Sequence, residues 1–390
     1  MKFDFVVLGA TGEEGNIASK DLLENGYSVL LCGRNEERIK HILKKYKKAK
    51  FAYVDLNSIK QTSSTLKKSG AKIAINCAEL TFNINAMKAC LISGLNYLDL
   101  GGLQEMTIQQ YKLDKEFKKN KLIALLGCGS SPGISNVMTS YAINNLDSVE
   151  NIELGFAWNS NIKKFVLPYS FESIVHELTT PPIILENGKF KKSHACSPEG
   201  FLKFKKIGKQ NTYCIIHSEV FTFYKYFKNK GLKFVHYKAG FPEHSFEVLE
   251  HLIKLGFGSK DPIKIKRVSI RPVDFTREIL KKIKKPKNYK EIEDIWVKVH
   301  GKLNNKKKKI EMDCIVKTLE GWEESGSNVD TGISISIMSQ MLKKGLIAKT
   351  GVTAPEIAIP QISFFKELKK RNMIVYFNNK KVVWLFLLVL

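Results

Sequence analysis

The stretch FDFVVLGATGEEGNIASKDLLENGYSVLLCGR, residues 3–34, decides the fold. An apolar run leads into a turn with three glycines, a segment of helical apolar periodicity follows, and a second apolar run ends at Cys32. This order of strand, glycine turn, helix and strand is typical of the opening unit of a dinucleotide-binding fold. The glycines are spaced GxxGxxG rather than GxGxxG, so the position of the turn between two strands matters as much as the motif.

Each glycine of the turn has a predicted task. Gly9 permits the tight turn, Gly12 lets the backbone approach a pyrophosphate, and Gly15 lets the helix pack close to the strand. The start of the helix adds unpaired N–H groups and a partial positive charge. We therefore predict that this turn binds the cofactor phosphates, and that Thr11 and Glu13, which lie within it, contact the cofactor.

The end of the second strand distinguishes NADP from NAD. An NAD site usually has Asp or Glu there to bind the ribose 2′-OH, whereas this strand ends in Cys32 and is followed by Arg34. A guanidinium suits a 2′-phosphate because its planar fork makes charge-assisted contacts. Only six of the 63 basic residues are Arg, so an Arg at this position is informative. The sequence predicts NADP, with NAD still possible.

Composition indicates a globular protein with real hydrophobic cores. The 390 residues carry a net charge of +25, but the excess is Lys spread along the chain without interleaved Arg and aromatic residues, so we expect no nucleic-acid partner. The seven Cys form no CxxC pair, which predicts a reducing compartment and no metal site. No signal peptide is recognisable, and the apolar run 382–390 is too short to span a bilayer. We expect a cytoplasmic protein without a membrane partner.

Strand and helix patterns alternate over residues 1–126, which predicts an α/β domain with a doubly wound parallel sheet. A third strand ends near Asp55, which we predict as a hydrogen-bond partner for adenine. A fourth strand ends in Asn76-Cys77-Ala78. The loops after the first and fourth strands of such a sheet flank the cofactor, so we place these three residues in the cofactor site.

Four segments carry distinctive motifs: the glycine turn at 9–15, Tyr97-Leu-Asp-Leu-Gly-Gly102, Gly129-Ser-Ser-Pro-Gly-Ile-Ser-Asn136, and Gly351-Val-Thr-Ala-Pro-Glu356. Together they resemble the saccharopine dehydrogenase superfamily. The resemblance extends over about residues 3–377 and is closer to the short saccharopine and lysine 6-dehydrogenase-like members than to the long bifunctional ones.

The resemblance implies a Rossmann domain interrupted by a second domain. Residues 127–335 would form an inserted α+β domain that binds substrate and carries a homodimer interface. Residues 336–377 would return to the nucleotide-binding domain, and 378–390 would be an apolar tail to which we assign no role.

The resemblance also implies a reaction. Members of the family transfer a hydride between a nicotinamide and an amine-bearing carbon of an amino acid, by way of an imine. Asp99, at a strand carboxyl end, would hold the substrate amine by charge. The turn containing Ser131, Pro132 and Gly133, with Asn136 at the following helix, would bind substrate near the nicotinamide.

The second domain offers further polar candidates. His217 and Glu219 alternate on what we interpret as a strand, so both face one side as a pair for proton transfer. Arg271 is one of three Arg in this domain, and we predict that it binds a substrate carboxylate through two hydrogen bonds. Loss of that contact in Arg271→Ala would raise KM.

The hypothesis favoured by the sequence is an NAD(P)-dependent oxidoreductase of the saccharopine dehydrogenase type, acting in lysine metabolism on saccharopine or a lysine-like amino acid. Two alternatives have the same chemistry: lysine 6-dehydrogenase, and an imine reductase of the carboxynorspermidine type. A third is a protein that binds NADP as a sensor and has lost catalysis.

Overall fold

The computed structural model describes residues 2–382, so the part of the predicted apolar tail 378–390 that starts at residue 383 lies outside the described residues. The chain begins with strands and helices in strict alternation. They are β1 (Phe5–Leu8), α1 (Glu13–Glu24), β2 (Val29–Gly33), α2 (Lys40–Lys45), β3 (Ala49–Tyr53), α3 (Ile59–Ser69), β4 (Ile73–Asn76), α4 (Asn83–Ser93), β5 (Asn96–Asp99), α5 (Gln104–Tyr111), α6 (Asp114–Lys119) and β6 (Ile123–Leu125).

A larger set of elements follows, in which strands dominate. They are α7 (Ile134–Ile143), β7 (Ser148–Ser160), α8 (Phe171–Thr179), β8 (Ile183–Glu186), β9 (Lys189–Lys192), β10 (Ser197–Phe204), β11 (Gly208–Cys214), α9 (Glu219–Phe227), β12 (Phe234–Gly240), α10 (Glu243–Lys254), β13 (Ile263–Ile265), β14 (Val268–Ile270), α11 (Pro272–Leu280), β15 (Glu291–Leu303) and β16 (Lys306–Lys317).

The remaining elements are α12 (Val329–Lys343), β17 (Gly351–Thr353), α13 (Pro355–Ala358), α14 (Gln361–Lys370), β18 (Ile374–Phe377) and β19 (Lys380–Lys381). Short 3-10 turns cover Glu36–Ile39, Leu80–Phe82, Lys228–Lys230 and Glu323–Ser325. Within residues 2–382, no helix combines the length and the apolar character that a membrane crossing requires.

The first sheet confirms the predicted doubly wound architecture. Its seven strands among the described residues run in the order β17-β6-β5-β4-β1-β2-β3, and every pairing is parallel. The chain reverses its direction of winding between β1 and β4. Ligands of such sheets bind outside the strand carboxyl ends at this reversal, which is where the glycine turn after β1 lies.

The second sheet is mixed. Its centre is the long antiparallel pairing of β7, β15 and β16, and β12 joins β7 in parallel. The buried side chains of one sheet face pack on α7 in the principal core of the protein. The β13–β14 hairpin is a separate two-stranded sheet.

The structure corrects the predicted return of residues 336–377 to the nucleotide-binding domain. Helix α12 packs against α1, and β17 extends the first sheet beside β6. Strand β18, however, pairs antiparallel with β16 and so belongs to the second sheet. The prediction was wrong for this strand because an isolated apolar run gives no sign of which sheet edge it will join.

Candidate functional site

The glycine turn after β1 has the close approaches that its sequence predicts. Gly9 has a φ of 73°, and a side chain there would lie 2.6 Å from the backbone nitrogen of Ala78. A Cβ on Gly15 would lie 2.3 Å from the carbonyl oxygen of Gly9. Gly12 is exposed, and no side chain caps the helix that begins after it. The helix start therefore offers free N–H groups to a pyrophosphate, and the turn fits a dinucleotide.

The end of β2 lies beside this turn. A Cβ on Gly33 would lie 2.6 Å from the Thr11 side chain, so Thr11 packs directly on this strand end. Arg34 follows and is exposed, and among residues 2–382 it makes no ion pair or hydrogen bond. Its guanidinium is therefore available to a phosphate at the edge of the site.

Arg34→Asp is expected to weaken NADPH binding by about 10- to 150-fold, since a charge-assisted hydrogen bond is worth about 1.5–3 kcal/mol. The Kd of NADH should change far less. Arg38→Asp, at another exposed arginine four residues later, is the matched control. Calorimetric titration with both cofactors measures the two constants, and an equal loss for NADPH and NADH would contradict the assignment of Arg34 to the phosphate.

The other residues predicted for the cofactor site are held by local hydrogen bonds. The Asn76 amide donates to Asn83 and Tyr97 and accepts from the backbone N–H of Ala78, so it fixes the loop that Gly9 packs against. The carboxylate of Asp55 accepts from the backbone and side chain of Asn57. Cys77 is half-buried and packs against the core. These contacts shape the walls of the site, and contact of these side chains with the cofactor stays a prediction.

The turn at 129–136 joins both halves of the protein. The backbone N–H of Gly133 donates to Asn136 Oδ1 at 2.8 Å, and Asn136 Nδ2 donates to Glu356 Oε2 at 2.8 Å. A cis peptide bond joins Ser131 to Pro132, whose ring lies against Gly127. The Asn136 amide thus has a single orientation, which fixes the start of α7 where the resemblance placed the substrate.

His217 and Glu219 form a buried pair, but not for the reason predicted. Strand β11 ends at Cys214, and Glu219 is the first residue of α9, so the two residues do not alternate on a strand. The turn between these elements brings His217 Nδ1 to 2.8 Å from Glu219 Oε2. The other carboxylate oxygen, Oε1, accepts from Ser131 Oγ at 2.9 Å and from Ser135 Oγ at 3.2 Å. The predicted pair is therefore linked to the turn at 129–136.

Two carboxylates set the protonation of His217. Burial by itself would lower its pKa, but Glu219 and Glu177 raise it above its ordinary value. Burial raises the pKa of Glu219, but His217 and Ser131 lower it, and the net shift is downward. The imidazole also stacks on Tyr237, with ring centroids 3.7 Å apart. Because Nδ1 is occupied by Glu219, Nε2 is the nitrogen left to act on a ligand.

Further carboxylates surround this pair, and little in the sequence indicates them. Glu177 accepts a hydrogen bond from Tyr169 at 2.5 Å. The pKa of Tyr237 is raised well above its ordinary value by burial and by the carboxylates of Glu219, Glu177 and Glu293.

A second acidic group lies where α1 meets α12. Burial raises the pKa of Asp330 to about 7, and burial together with Glu13 and Asp330 raises that of Glu14 well above its ordinary range. Oxygen Oδ2 of Asp330 and Oε2 of Glu14 are buried without a hydrogen-bond partner among the described residues. The carboxylate of Asp330 also raises the pKa of Glu293. We name Glu14, Glu177, Glu219, Glu293 and Asp330 the acidic cluster. The run Glu291-Ile-Glu-Asp294 in a Lys-rich chain was its one available signal.

The geometry does not support the role predicted for Asp99. Its side chain is buried, and Oδ1 accepts from the backbone N–H of Gly127 at 2.9 Å. Its Oδ2 accepts from Tyr97 at 3.0 Å and from Gln110 at 2.5 Å. The side chain is 1% exposed and held by these three hydrogen bonds, so the geometry gives no support for contact with a substrate amine. Asp99 instead ties the end of β5 to the chain after β6, a positioning role.

Arg271 does not reach these residues. It lies at the start of α11, half-exposed, and its Nε donates to Asp274 at 2.6 Å. None of its hydrogen bonds joins it to the turn at 129–136 or to His217. The predicted contact with a substrate carboxylate therefore has no support from the geometry, because the guanidinium is already paired at the surface.

Comparison with known proteins agrees with this geometry. The saccharopine dehydrogenase NADP binding domain family matches residues 5–125, and the saccharopine dehydrogenase C-terminal domain family matches residues 129–374. With the glycine turn and the exposed Arg34, these matches define an NADP-binding oxidoreductase. The chain belongs to the saccharopine dehydrogenase family.

Individual relatives are more distant. Carboxyaminopropylagmatine dehydrogenase of Synechocystis is 26% identical over 70% of this chain and 71% of its own length. Carboxynorspermidine synthase of Vibrio alginolyticus is 22% identical over 60% of each chain. The solved structure of saccharopine dehydrogenase (L-Glu forming) from Saccharomyces cerevisiae matches 97% of this chain and 100% of that one, with a TM-score of 0.74 at 13% identity, which shows a shared fold.

Proposed function

We propose that this protein reduces an imine, with NADPH as the hydride donor, to the secondary amine of a polyamine that bears a carboxyl group. The names of the relatives describe compounds of this class, carboxyaminopropylagmatine and carboxynorspermidine. The observation that carries the proposal is the acidic cluster. A protein with a net charge of +25 concentrates buried carboxylates around its candidate site, which suits a substrate with several ammonium groups.

The charge of the site also argues against the substrate favoured by the sequence. Saccharopine has more carboxylates than amines, so it offers few cations to pair with the acidic cluster and would place its own carboxylates among these buried carboxyl groups. A polyamine chain instead brings cations that pair with carboxylates whose oxygens have no hydrogen-bond partner within residues 2–382. Asp330 Oδ2 and Glu14 Oε2 are such atoms. Pairing them with a cation satisfies acceptors whose burial otherwise costs free energy.

His217 is the group proposed to move the proton. NADPH, when bound at the glycine turn, supplies the hydride. In the protonated state His217 donates a hydrogen bond from Nδ1 to Glu219 and offers the proton on Nε2 to the substrate nitrogen. Glu219 keeps the ring oriented and favours its charged form. In the reverse direction the neutral ring takes the amine proton at Nε2.

The same resemblance supports two finer proposals. The protein would act as a homodimer formed through residues of the second sheet, and it would work in the cytoplasm. Sedimentation velocity of the purified protein tests the first, and the localisation of a tagged chain tests the second.

Oxidation of candidate amines with NADP⁺ tests the proposed reaction. Carboxynorspermidine and carboxyaminopropylagmatine should be turned over, saccharopine and lysine should not, and NAD⁺ should be the poorer cofactor. Turnover of saccharopine alone would indicate the saccharopine dehydrogenase reaction. Turnover of lysine alone would indicate a lysine 6-dehydrogenase. Tight NADPH binding with no turnover of any amine would favour the NADP-sensing alternative.

Asp330→Asn is expected to raise the KM of the carboxylated polyamine by about 10- to 150-fold, because a charge-assisted contact worth about 1.5–3 kcal/mol is lost. The KM of NADP⁺ should stay within about twofold. Glu320→Gln removes an exposed carboxylate nearby in the sequence and is the matched control. An unchanged KM in the Asp330 variant would contradict the role of the acidic cluster in binding cations.

A further inference from the structure

One segment of the second half exposes an unusual amount of apolar surface. Residues 255–287 contain the β13–β14 hairpin and α11, and we name them the hairpin–helix segment. Eight of its large apolar side chains are 40–73% exposed: Leu255, Phe257, Ile263, Ile265, Val268, Phe275, Ile279 and Ile283. A large apolar side chain presents on the order of 200 Å², so together they leave roughly 800 Å² of apolar surface exposed within this one segment.

The hairpin has one wholly apolar face. In its register Ile263 is opposite Ile270 and Ile265 is opposite Val268, while Lys264 and Ser269 point to the other side. Every residue from 261 to 269 is exposed. A two-stranded hairpin that buries neither face is marginal by itself in water. Its apolar face is therefore expected to have a partner.

Helix α11 is apolar on both sides. Val273, Thr276 and Leu280 are buried against the protein, and Phe275 and Ile279, four residues apart, face outward together. The helix is held in place, because Val273 N–H donates to the carbonyl of Ser259 at 3.0 Å and Thr276 Oγ1 donates to that of Phe257 at 3.1 Å. The outward apolar side chains thus belong to a fixed surface.

The segment is also strongly basic. It holds eleven Lys and Arg against three Asp and Glu, a far larger excess than in the whole chain, where the totals are 63 and 38. Several of these cations have no ion-pair partner in the described part of the chain: Lys264, Lys266, Arg267, Lys282, Lys284 and Lys287. A partner of this surface must therefore be both apolar and negatively charged.

We propose that the hairpin–helix segment docks the enzyme on an anionic lipid surface. The apolar side chains of the hairpin and of α11 would enter the boundary between headgroups and acyl chains, and the lysines would contact the acidic headgroups. A second copy of this chain fits less well, because it would bring the same excess of positive charge to the interface. This inference departs from the sequence-based expectation of no membrane partner, and it does not depend on the proposed reaction.

Vesicle flotation tests the proposal. The purified full chain is mixed with vesicles of phosphatidylcholine alone or with added phosphatidylglycerol. We expect binding to the anionic vesicles only, weakened by salt because exposed charges are screened. The apolar variant Ile265→Ser with Val268→Ser, and the charge variant Lys264→Glu with Lys266→Glu and Arg267→Glu, should each lower the partition coefficient by about tenfold or more.

Two controls make the same changes elsewhere. Ile92→Ser alters an isoleucine that is 66% exposed on α4. Lys306→Glu with Lys307→Glu and Lys308→Glu reverses three charges at the exposed tip of the β15–β16 hairpin. Both should float like the unmodified protein, and NADPH binding in every variant confirms folding. Failure to bind anionic vesicles, or equal loss in the controls, overturns the proposal. If the apolar variant instead turns a dimer into a monomer in sedimentation velocity, the surface belongs to a second copy and the lipid proposal is wrong.

Discussion

His217→Asn is expected to lower kcat for imine reduction by about 10²- to 10⁴-fold, the usual contribution of a positioned general acid. The variant keeps a polar side chain beside Glu219 but has no group that can deliver a proton from the position of Nε2. The KM of NADPH should change little, because His217 lies in the second half of the protein. Steady-state kinetics with saturating NADPH measures the effect.

His236→Asn is the matched control for this variant. His236 precedes Tyr237 on β12, so its side chain points to the opposite face of the sheet from the ring on which His217 stacks. The His236→Asn variant should therefore retain kcat within about twofold of that of the unmodified protein. If both variants lost the same activity, the defect would lie in the fold of the second sheet, and His217 would not be the proton donor.

The pH profile gives a second readout of the same pair. Reduction needs protonated His217, so its rate should fall as pH rises through the raised pKa of that residue. In Glu219→Gln the neighbouring carboxylate is gone, and the falling limb should move to lower pH. If Glu219 had only a structural role, its replacement would lower the rate but leave the falling limb at the same pH.

The pKa shifts of His217 and Glu219 also predict how the stability of the fold depends on pH. The pKa of His217 is raised on folding, so its contribution is fully present below the ordinary histidine pKa of about 6.5 and is lost as pH rises through the raised value. The pKa of Glu219 is lowered, so its contribution is present above its ordinary value of about 4.3 and is lost as pH falls through the lowered one. Urea unfolding across this range should show the pair stabilising the fold most between these limits.

Gly133→Ala is expected to destabilise the protein by about 3 kcal/mol or more, in the range of forced backbone rearrangement. Gly133 has a φ of 139°, and a Cβ there would lie 1.8 Å from the carbonyl oxygen of Gly129. The turn must open, which separates the backbone N–H of Gly133 from Asn136 and Ser131 from Glu219. Both the free energy of unfolding and kcat should therefore fall.

Gly94→Ala is the matched control, because it introduces backbone strain without a steric clash. Gly94 ends α4 with a φ of 71°, and no atom lies within 4 Å of the position of a Cβ. Its replacement should cost about 1 kcal/mol, from backbone conformation alone, and leave kcat unchanged. Equal losses in the two variants, measured by urea unfolding, would contradict the close packing described at residues 129–133.

The first half of the fold could be predicted because its signals are local. The glycine turn, the apolar runs and the helix ends are read within a few residues, and the second apolar run, predicted to end at Cys32, is observed as β2 (Val29–Gly33). The candidate site could not be predicted in the same way. Glu14 is hundreds of residues away from Glu293 and Asp330 in the chain, and a strand reversal separates Glu293 from Asp330. Only the packing of α1, β15 and α12 makes the three residues neighbours.

Asp99 and Arg271 are cases in which the residue type suggested a role that the structure does not support. Their residue types suited the predicted chemistry, but the sequence does not reveal that Gly127, Tyr97 and Gln110 occupy Asp99, or that Asp274 occupies Arg271. The pairing of His217 with Glu219 was predicted correctly, although the prediction placed both residues on a strand and the observed strand ends before them. In that case spacing in the chain was informative, and the secondary structure assigned to it was not.

The path of residues 329–377 has a consequence for how the protein acquires its shape. These residues supply α12 against α1, then β17 to the first sheet, and finally β18 to the second. During synthesis neither sheet can be completed until this late stretch has left the ribosome, and its partners in α1 are made more than 300 residues earlier. Closing contacts over such sequence distances is slow. Nascent chains that lack them would expose the edges of β6 and β16, and unpaired strand edges are prone to pair with other chains.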